Sequence, residues 1–197
     1  MPNWCENWVC LTHDDESKVK ALREDMREGK FLAHFLPEPK YKHKDDWYNW
    51  RWDTWGCKWE IDLSDTCWEE YSGKDEVNFN FISPWSPPVG VYKKAHELGW
   101  QVDSTYNECG NDFVGRFTDG TDECVNMTET FEDGSMPEWA LEQVGDELID
   151  RYLDREFIDL NGNLLDEDGK IKKKHGTWGN PKFNKGELEY YQKRSNA

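Results

Sequence analysis

Twelve tryptophans, nine phenylalanines and eight tyrosines in 197 residues constrain this chain more than any other feature. Leu, Ile, Val and Phe together number only 36 and the net charge is −17, a combination that by itself describes a disordered chain. Each large ring can bury roughly 150–250 Å², so strands dressed in aromatics build a core where aliphatic residues are scarce. A folded α+β domain is the expectation. No apolar run approaches the ~18 residues of a membrane-spanning helix. The opening Met1-Pro2-Asn3-Trp4-Cys5-Glu6-Asn7-Trp8 lacks the basic and apolar regions of a secretory signal, which predicts a cytoplasmic protein. Six cysteines are too sparse for a disulfide scaffold, so reduced thiols are expected.

Charge is divided along the chain. Residues 169–197 hold eight Lys and Arg against Glu187 and Glu189, while the preceding 168 residues carry the acidity. An acidic body repels phosphate backbones, so direct DNA binding is not expected. It suits a partner with a basic surface, whose approach it accelerates. The competing reading is that acidity serves solubility alone.

Residues 4–12 read as a strand, and Asp14-Asp15-Glu16-Ser17 caps a helix whose apolar stripe is Val19, Leu22 and Met26. Residues 40–54 are charged and Trp-laden without a convincing period. Cys57, Trp59, Ile61 and Leu63 alternate with polar residues, predicting a strand paired as a hairpin with Val77-Asn78-Phe79-Asn80-Phe81. Helices over 16–28 and 89–98 should cover one face of the sheet and bury Cys57, Trp59, Ile61 and Phe79; a solvent-facing Trp59 would break that register. Further strands are expected at Trp100–Tyr106, Phe113–Phe117 and Cys124–Thr128, a capped helix after Ser135, and a small hairpin within 157–172. The order predicts a ferredoxin-like β-α-β-β-α-β antiparallel sheet with helices on one face, plus an extra hairpin and a C-terminal helix. Residues 1–134 form the expected domain; 135–197 are an appended acidic helix, small hairpin and basic tail.

Motifs for chemistry are sparse. Cys5 and Cys10 have opposite strand parity, and neither Cys57/Cys67 nor Cys109/Cys124 has a zinc spacing, so no metal is expected. A calcium loop starting at Asp159 fails at Leu164 and Lys170, where Gly and Glu are required. Cys10 and His13 are a weak nucleophile–base pair, and no catalytic residue or cofactor is assigned. The Trp-rich stretch is more informative. Trp47, Trp50, Trp52, Trp55, Trp59 and Trp68 alternate with Lys40, Lys42, Lys44 and Arg51, a pattern able to stack flat rings and hold anions. The blander reading places Trp55 and Trp59 in the core.

Four blocks carry a resemblance. Met1-Pro2-Asn3-Trp4-Cys5-Glu6-Asn7, Trp55-Gly56-Cys57-Lys58-Trp59-Glu60, Phe81-Ile82-Ser83-Pro84-Trp85-Ser86-Pro87-Pro88 and Tyr106-Asn107-Glu108-Cys109-Gly110 with Phe113-Val114-Gly115 resemble, in order, segments of a plasmid and phage accessory family carrying the YubB-type ferredoxin-like domain. The resemblance spans about residues 1–128 and implies a fold and a mobile-element setting in a bacterial host cytoplasm, without an established reaction. Asn3, Glu60, Trp85 and Glu108 are expected to converge at the end of the sheet. Asn3, Trp4, Trp55, Lys58, Glu60, Trp85, Tyr106 and Glu108 are the expected ligand- or partner-binding residues, and Glu142, Asp146 and Asp150 the expected acidic partner face. The leading functional expectation is a non-enzymatic protein that inhibits a host defence or regulatory protein, among them a nucleic-acid-binding one, through its acidic surface. The alternatives are a binder sequestering a nucleotide signal in a Trp-rich pocket, or an enzyme acting on a nucleotide or protein.

Overall fold

The computed structural model describes residues 3–61, 63, 68, 72–133, 135–153, 163–165 and 170–173. The chain divides into two compact units, Met1–Cys124 and Val125–Ala197. In the first, β1 (Trp4–Thr12) leads into α1 (Glu16–Arg27), α2 (Phe31–Phe35) and α3 (Asp46–Thr54). Then follow β2 (Glu76–Pro84), α4 (Val89–Glu97), β3 (Gln101–Glu108), β4 (Phe113–Thr118) and β5 (Thr121–Asn126). The five-stranded sheet has the order β2-β1-β3-β4-β5, and β1 runs antiparallel to both β2 and β3. The fold is α+β, a ferredoxin-like arrangement with extra strands.

Alternation decides the two faces of the sheet. Val9 pairs with Phe79 and Ser104, and Leu11 with Val77 and Val102. These residues point to one side and are buried with Val19, Leu22 and Met26 of α1, Phe31, Leu32 and Phe35 of α2, and Val91, Tyr92 and Ala95 of α4. Asp15 starts α1 by accepting from the Ser17 amide at 2.9 Å. Gly29, at φ +67°, ends that segment by letting Lys30 N–H reach the Asp25 carbonyl at 2.9 Å.

The expected strand over 57–63 is not formed by the described residues. Cys57, Ile61 and Leu63 are buried, as is Phe79, but residues 56–59 are bends, and Trp59 is 37 % exposed. The reason is local. Gly56 turns the chain at φ +89°, Arg51 Nη1 donates to the Lys58 carbonyl at 3.2 Å, and the Glu60 side chain folds inward instead of outward. The register read for Trp59 therefore fails, while the sheet stands because β1 pairs with β2 on one side and β3 on the other without this segment. Residues 46–54, read as aperiodic connection, form α3, and β5 ends at Asn126 because Met127 already opens a helix.

In the second unit, α5 (Met127–Asp133) and α6 (Glu138–Leu153) follow the sheet, and Met127, Met136, Ala140 and Val144 are buried. The hairpin expected within 157–172 is formed by β6 (Leu164–Leu165) and β7 (Ile171–Lys173). Glu142 is exposed on α6; the side chains of Asp146 and Asp150, and the basic tail beyond Lys173, lie outside the described residues. Among the described residues no helix is long and apolar enough to cross a membrane.

Candidate functional site

The site begins with a corner. At the end of β2, Trp4 pairs with Pro84, and Trp85 then takes a left-handed backbone at φ +64° while its N–H donates to the Asn3 carbonyl at 2.8 Å. A non-glycine residue there costs about 1–3 kcal/mol and persists only when its surroundings enforce it. A buried relay supplies the enforcement. Tyr92 OH donates to Asn7 Oδ1 at 3.3 Å, Asn7 Nδ2 to Ser83 Oγ and the Cys5 carbonyl at 2.9 Å, and Ser83 Oγ to the Ser86 carbonyl at 2.7 Å. Ser86 Oγ then donates to the Gly56 carbonyl. Burial pushes the Tyr92 phenol well above its usual range, so it remains a donor. Gly90 closes the frame from the other side. Its N–H donates to the Trp55 carbonyl at 3.2 Å, and a Cβ in its place would collide with the Thr54 carbonyl.

On this frame stands a ladder of rings. Trp4 lies 6.4 Å from Trp59, Trp59 6.2 Å from Trp85, Trp85 6.0 Å from Trp52, and Trp52 6.3 Å from Tyr48. Successive indoles are tilted by 35–42°, so they fan outward instead of closing into a stack. Trp4 is 46 % and Tyr48 42 % exposed. The Lys58 ammonium sits 4.7 Å from the Trp59 ring centre and 5.5 Å from those of Trp85 and Tyr48. Each such contact is worth about 0.5–1 kcal/mol when exposed. Arg51, in contrast, packs on Trp47 and Trp55 and is tied to Glu38 through Nε at 2.7 Å. Lys58 makes no ion pair among the described residues, so its charge remains available to a ligand.

Of the residues expected from sequence, Trp4, Lys58 and Trp85 meet in the ladder, and Asn3 holds the Trp85 amide. Asn3 also brings its side chain against Gly110, where an added Cβ would meet both the Asn3 amide and the Glu108 carboxylate. Glu108 is buried and accepts from the Asn111 amide at 2.7 Å and from Gly110, which folds the β3–β4 turn. Three of the four residues expected to converge are thus linked through Asn3. The fourth, Glu60, is elsewhere: its carboxylate accepts from the Leu32, Ala33 and Ile61 amides at 2.6, 2.9 and 3.1 Å and caps α2. Burial raises the Glu60 carboxyl above its ordinary value, opposed by those three amides. Trp55 is buried with its indole N–H on the Leu36 carbonyl at 2.8 Å, and Tyr106 is buried with its hydroxyl on Asp122 at 2.6 Å. Both are structural. Sequence reasoning missed Tyr48; it named Trp52 and Trp59 in the Trp-rich stretch but left both out of the expected binding residues and expected Trp59 to be buried. The i, i+4 spacing of Tyr48 and Trp52 was the available signal, since such a pair meets on one helix face.

Cys10 and His13 find different partners: Cys10 Sγ lies 3.9 Å from Thr12 Oγ1, while His13 accepts from the Asp15 amide at 2.9 Å and meets Lys18 at 3.0 Å. Burial pushes Cys57 up to about 12 and Cys5 higher, so neither is a thiolate at neutral pH. Among the described residues no three His, Cys, Asp or Glu side chains gather as a metal ion requires. Compared with protein-family models, with curated proteins and with solved structures, the chain matches none of them.

Proposed function

We propose that this chain is a non-enzymatic binding protein that holds a protein partner on the ladder formed by Trp4, Trp59, Trp85, Trp52 and Tyr48. The observation that carries this reading is the fan of solvent-facing indoles fixed on a hydrogen-bonded corner. Contiguous exposed apolar patches on a folded chain mark interaction surfaces, and tryptophans dominate the energetics of such surfaces. The net charge of −17 favours a partner with a basic rim around its apolar centre. In the mobile-element setting that the resemblance implies, the partner is a host defence or regulatory protein, and a nucleic-acid-binding surface supplies the required basicity.

The test is affinity capture from a bacterial lysate with the full chain and with a Trp59→Ala/Trp85→Ala variant, followed by affinity measurement on the captured protein. Two hot-spot truncations at about 2 kcal/mol each should weaken that affinity by roughly a thousandfold. A partner retained equally by both versions would exclude the ladder as its surface.

Lys58 favours a second reading, a flat anionic ligand such as a nucleotide, with its ring on Trp59 and its phosphate on the Lys58 ammonium, which has no ion-pair partner among the described residues. Titration with nucleoside monophosphates, followed by tryptophan fluorescence, separates the two. Quenching abolished by Lys58→Met supports the nucleotide, and unchanged fluorescence excludes it.

A further inference from the structure

On the face of the sheet turned away from α1, α2 and α4, Asn107 and Val114 are buried, whereas the stretch around Trp8 is open. Even-numbered residues of β1 point into it, and across its centre Trp8 pairs with Asn80 on β2 and Thr105 on β3, with Arg116 of β4 beyond Thr105. These side chains line an open groove of about 1270 Å³, together with Glu6, Cys10, Asn78, Ile82, Asp103 and Thr118. Trp8 is 43 % exposed at its middle. Glu6 stands two residues before Trp8 on the same strand, roughly 7 Å away along the pleat. Asp103 pairs with Cys10, which makes it a diagonal neighbour of Trp8, also roughly 7–8 Å away.

The charges here are unequal. Glu6 has no side-chain partner among the described residues. Asp103 accepts from Thr118 Oγ1 at 2.7 Å and from Gln101 at 3.4 Å, which fixes the carboxylate without neutralising it. The cation of the groove, Arg116, is bound to Glu123 at 2.5 Å. An uncovered indole flanked by two carboxylates, in a chain of net charge −17, is complementary to one side chain above others. Arginine stacks its planar cation on an indole and forks its N–H groups onto carboxylate; the compact ammonium of lysine can rest over the ring as a point charge but can neither stack nor fork.

We infer that this groove docks a basic, extended segment of the partner, with one guanidinium stacked on Trp8 between Glu6 and Asp103. The inference rests on the ladder being the partner surface, because Trp4 belongs to the same face of β1 and joins ladder to groove.

A peptide with arginine at alternate positions, Ser-Arg-Ser-Arg-Ser-Arg-Ser with blocked ends, presents all its cations on one side when extended. Its titration into the full chain carrying ¹⁵N-labelled indoles should move the Trp8 N–H resonance most. Trp8→Ala should weaken binding about tenfold, the loss of roughly 1.4 kcal/mol. Glu6→Gln and Asp103→Asn, which alter only exposed carboxylates, should each weaken it several-fold, as should replacement of every arginine by lysine. Shifts confined to Trp59 and Trp85, affinity indifferent to Trp8→Ala and Glu6→Gln, or no shift at millimolar peptide would each overturn the inference. So would a concentration-dependent dimer abolished by Trp8→Ala, since the occupant would then be a second copy. The Trp59→Ala/Trp85→Ala variant should bind the peptide normally, so failure of the ladder reading and failure of the groove register in different measurements.

Discussion

Two groups of rings lie in the first unit of this molecule at nearly the same spacing. Phe31 meets Phe79 at 4.9 Å and Phe35 and Phe81 at 6.0 Å, with Trp100 at 5.7 Å from Phe35, all of them buried. The rungs of the outer ladder are 6.0–6.4 Å apart; Trp4, Trp59 and Tyr48 are exposed, and Trp52 and Trp85 are half-buried. The difference lies in what stands behind them. The inner rings are enclosed between the sheet and α1, α2 and α4, whereas the outer ones stand on α3 and the hydrogen-bonded corner, with Trp4, Trp59 and Tyr48 open to solvent. Burying such a side chain yields about 1.5–3 kcal/mol, and the ladder forgoes it. If the ladder serves binding, as proposed, and the inner rings serve stability, mutation should separate the two groups.

The largest effect should come from the inner group. Phe31→Ala removes a ring touching three others and should cost about 3–5 kcal/mol, as for large core truncations in general. Trp55→Ala belongs with it, since it also strips the Leu36 carbonyl of its indole donor. Urea unfolding read by circular dichroism measures both. A cost below about 1 kcal/mol for either would erase the distinction between inner and outer rings.

The relay beneath the corner comes next, because it links the two regions. Asn7→Leu keeps the volume but takes the Asn7 acceptor from Tyr92 OH and the Asn7 donor from Ser83 Oγ and the Cys5 carbonyl, while Ser83 Oγ keeps its bond to the Ser86 carbonyl. Leaving buried polar groups unpaired costs about 1–3 kcal/mol. Ser86→Ala, which frees only the Gly56 carbonyl, should cost about 1 kcal/mol and loosen the ladder more than the core. Its signature is a change in tryptophan fluorescence that precedes loss of secondary structure during unfolding.

How much of this was legible in the sequence follows from the same contrast. Strand parity placed Val77, Phe79 and Phe81 correctly because the face they share is covered by α1, α2 and α4, which makes alternation a strict signal there. The stripe of α1 was readable for the same reason. Trp59 was misplaced because its neighbours Cys57, Ile61 and Leu63 are buried; alternation of burial imitates a strand even where Arg51 and Glu60 take over the hydrogen bonds. Helix α3 was invisible to periodicity because none of its residues is buried, so it has no apolar stripe to read. Of the expected site, Trp4, Lys58 and Trp85 could be found from composition and motif. That Trp55, Glu60 and Tyr106 serve the fold depended on tertiary hydrogen bonds that no spacing announces.

Glu60 gives a smaller and pH-dependent effect. Glu60→Gln keeps one acceptor and should cost α2 about 1 kcal/mol, as loss of a cap does. Burial raises the carboxyl above its ordinary 4.5, so the folded state holds its proton more tightly than the unfolded state. Its stabilising share is then complete below 4.5 and is lost as the pH rises through the raised folded value. The margin of the natural protein over Glu60→Gln should accordingly be widest at the acid end and narrow toward neutral pH. A margin that widens with pH would mean that the three amides outweigh burial.

The smallest effect on stability should coincide with the largest on binding. Trp85→Gly relieves the left-handed backbone at φ +64°, a gain of about 1–2 kcal/mol. Against it stand the entropy of a glycine in the unfolded chain, about 0.5–1 kcal/mol, and the lost contact with Lys58, about 0.5–1 kcal/mol. These nearly cancel, so the melting behaviour should stay within about 1 kcal/mol of the natural protein. Trp59→Ala, which truncates an exposed ring, should also remain within about 1 kcal/mol. Partner affinity should nevertheless fall by one to two orders of magnitude in each, as for central tryptophans of an interface. The comparison breaks if either substitution unfolds the chain, for the ladder would then be core that merely touches water. It sharpens if Trp85→Gly binds worse than Trp59→Ala at equal stability, since the strained corner would then hold the middle rung of the ladder where the partner needs it.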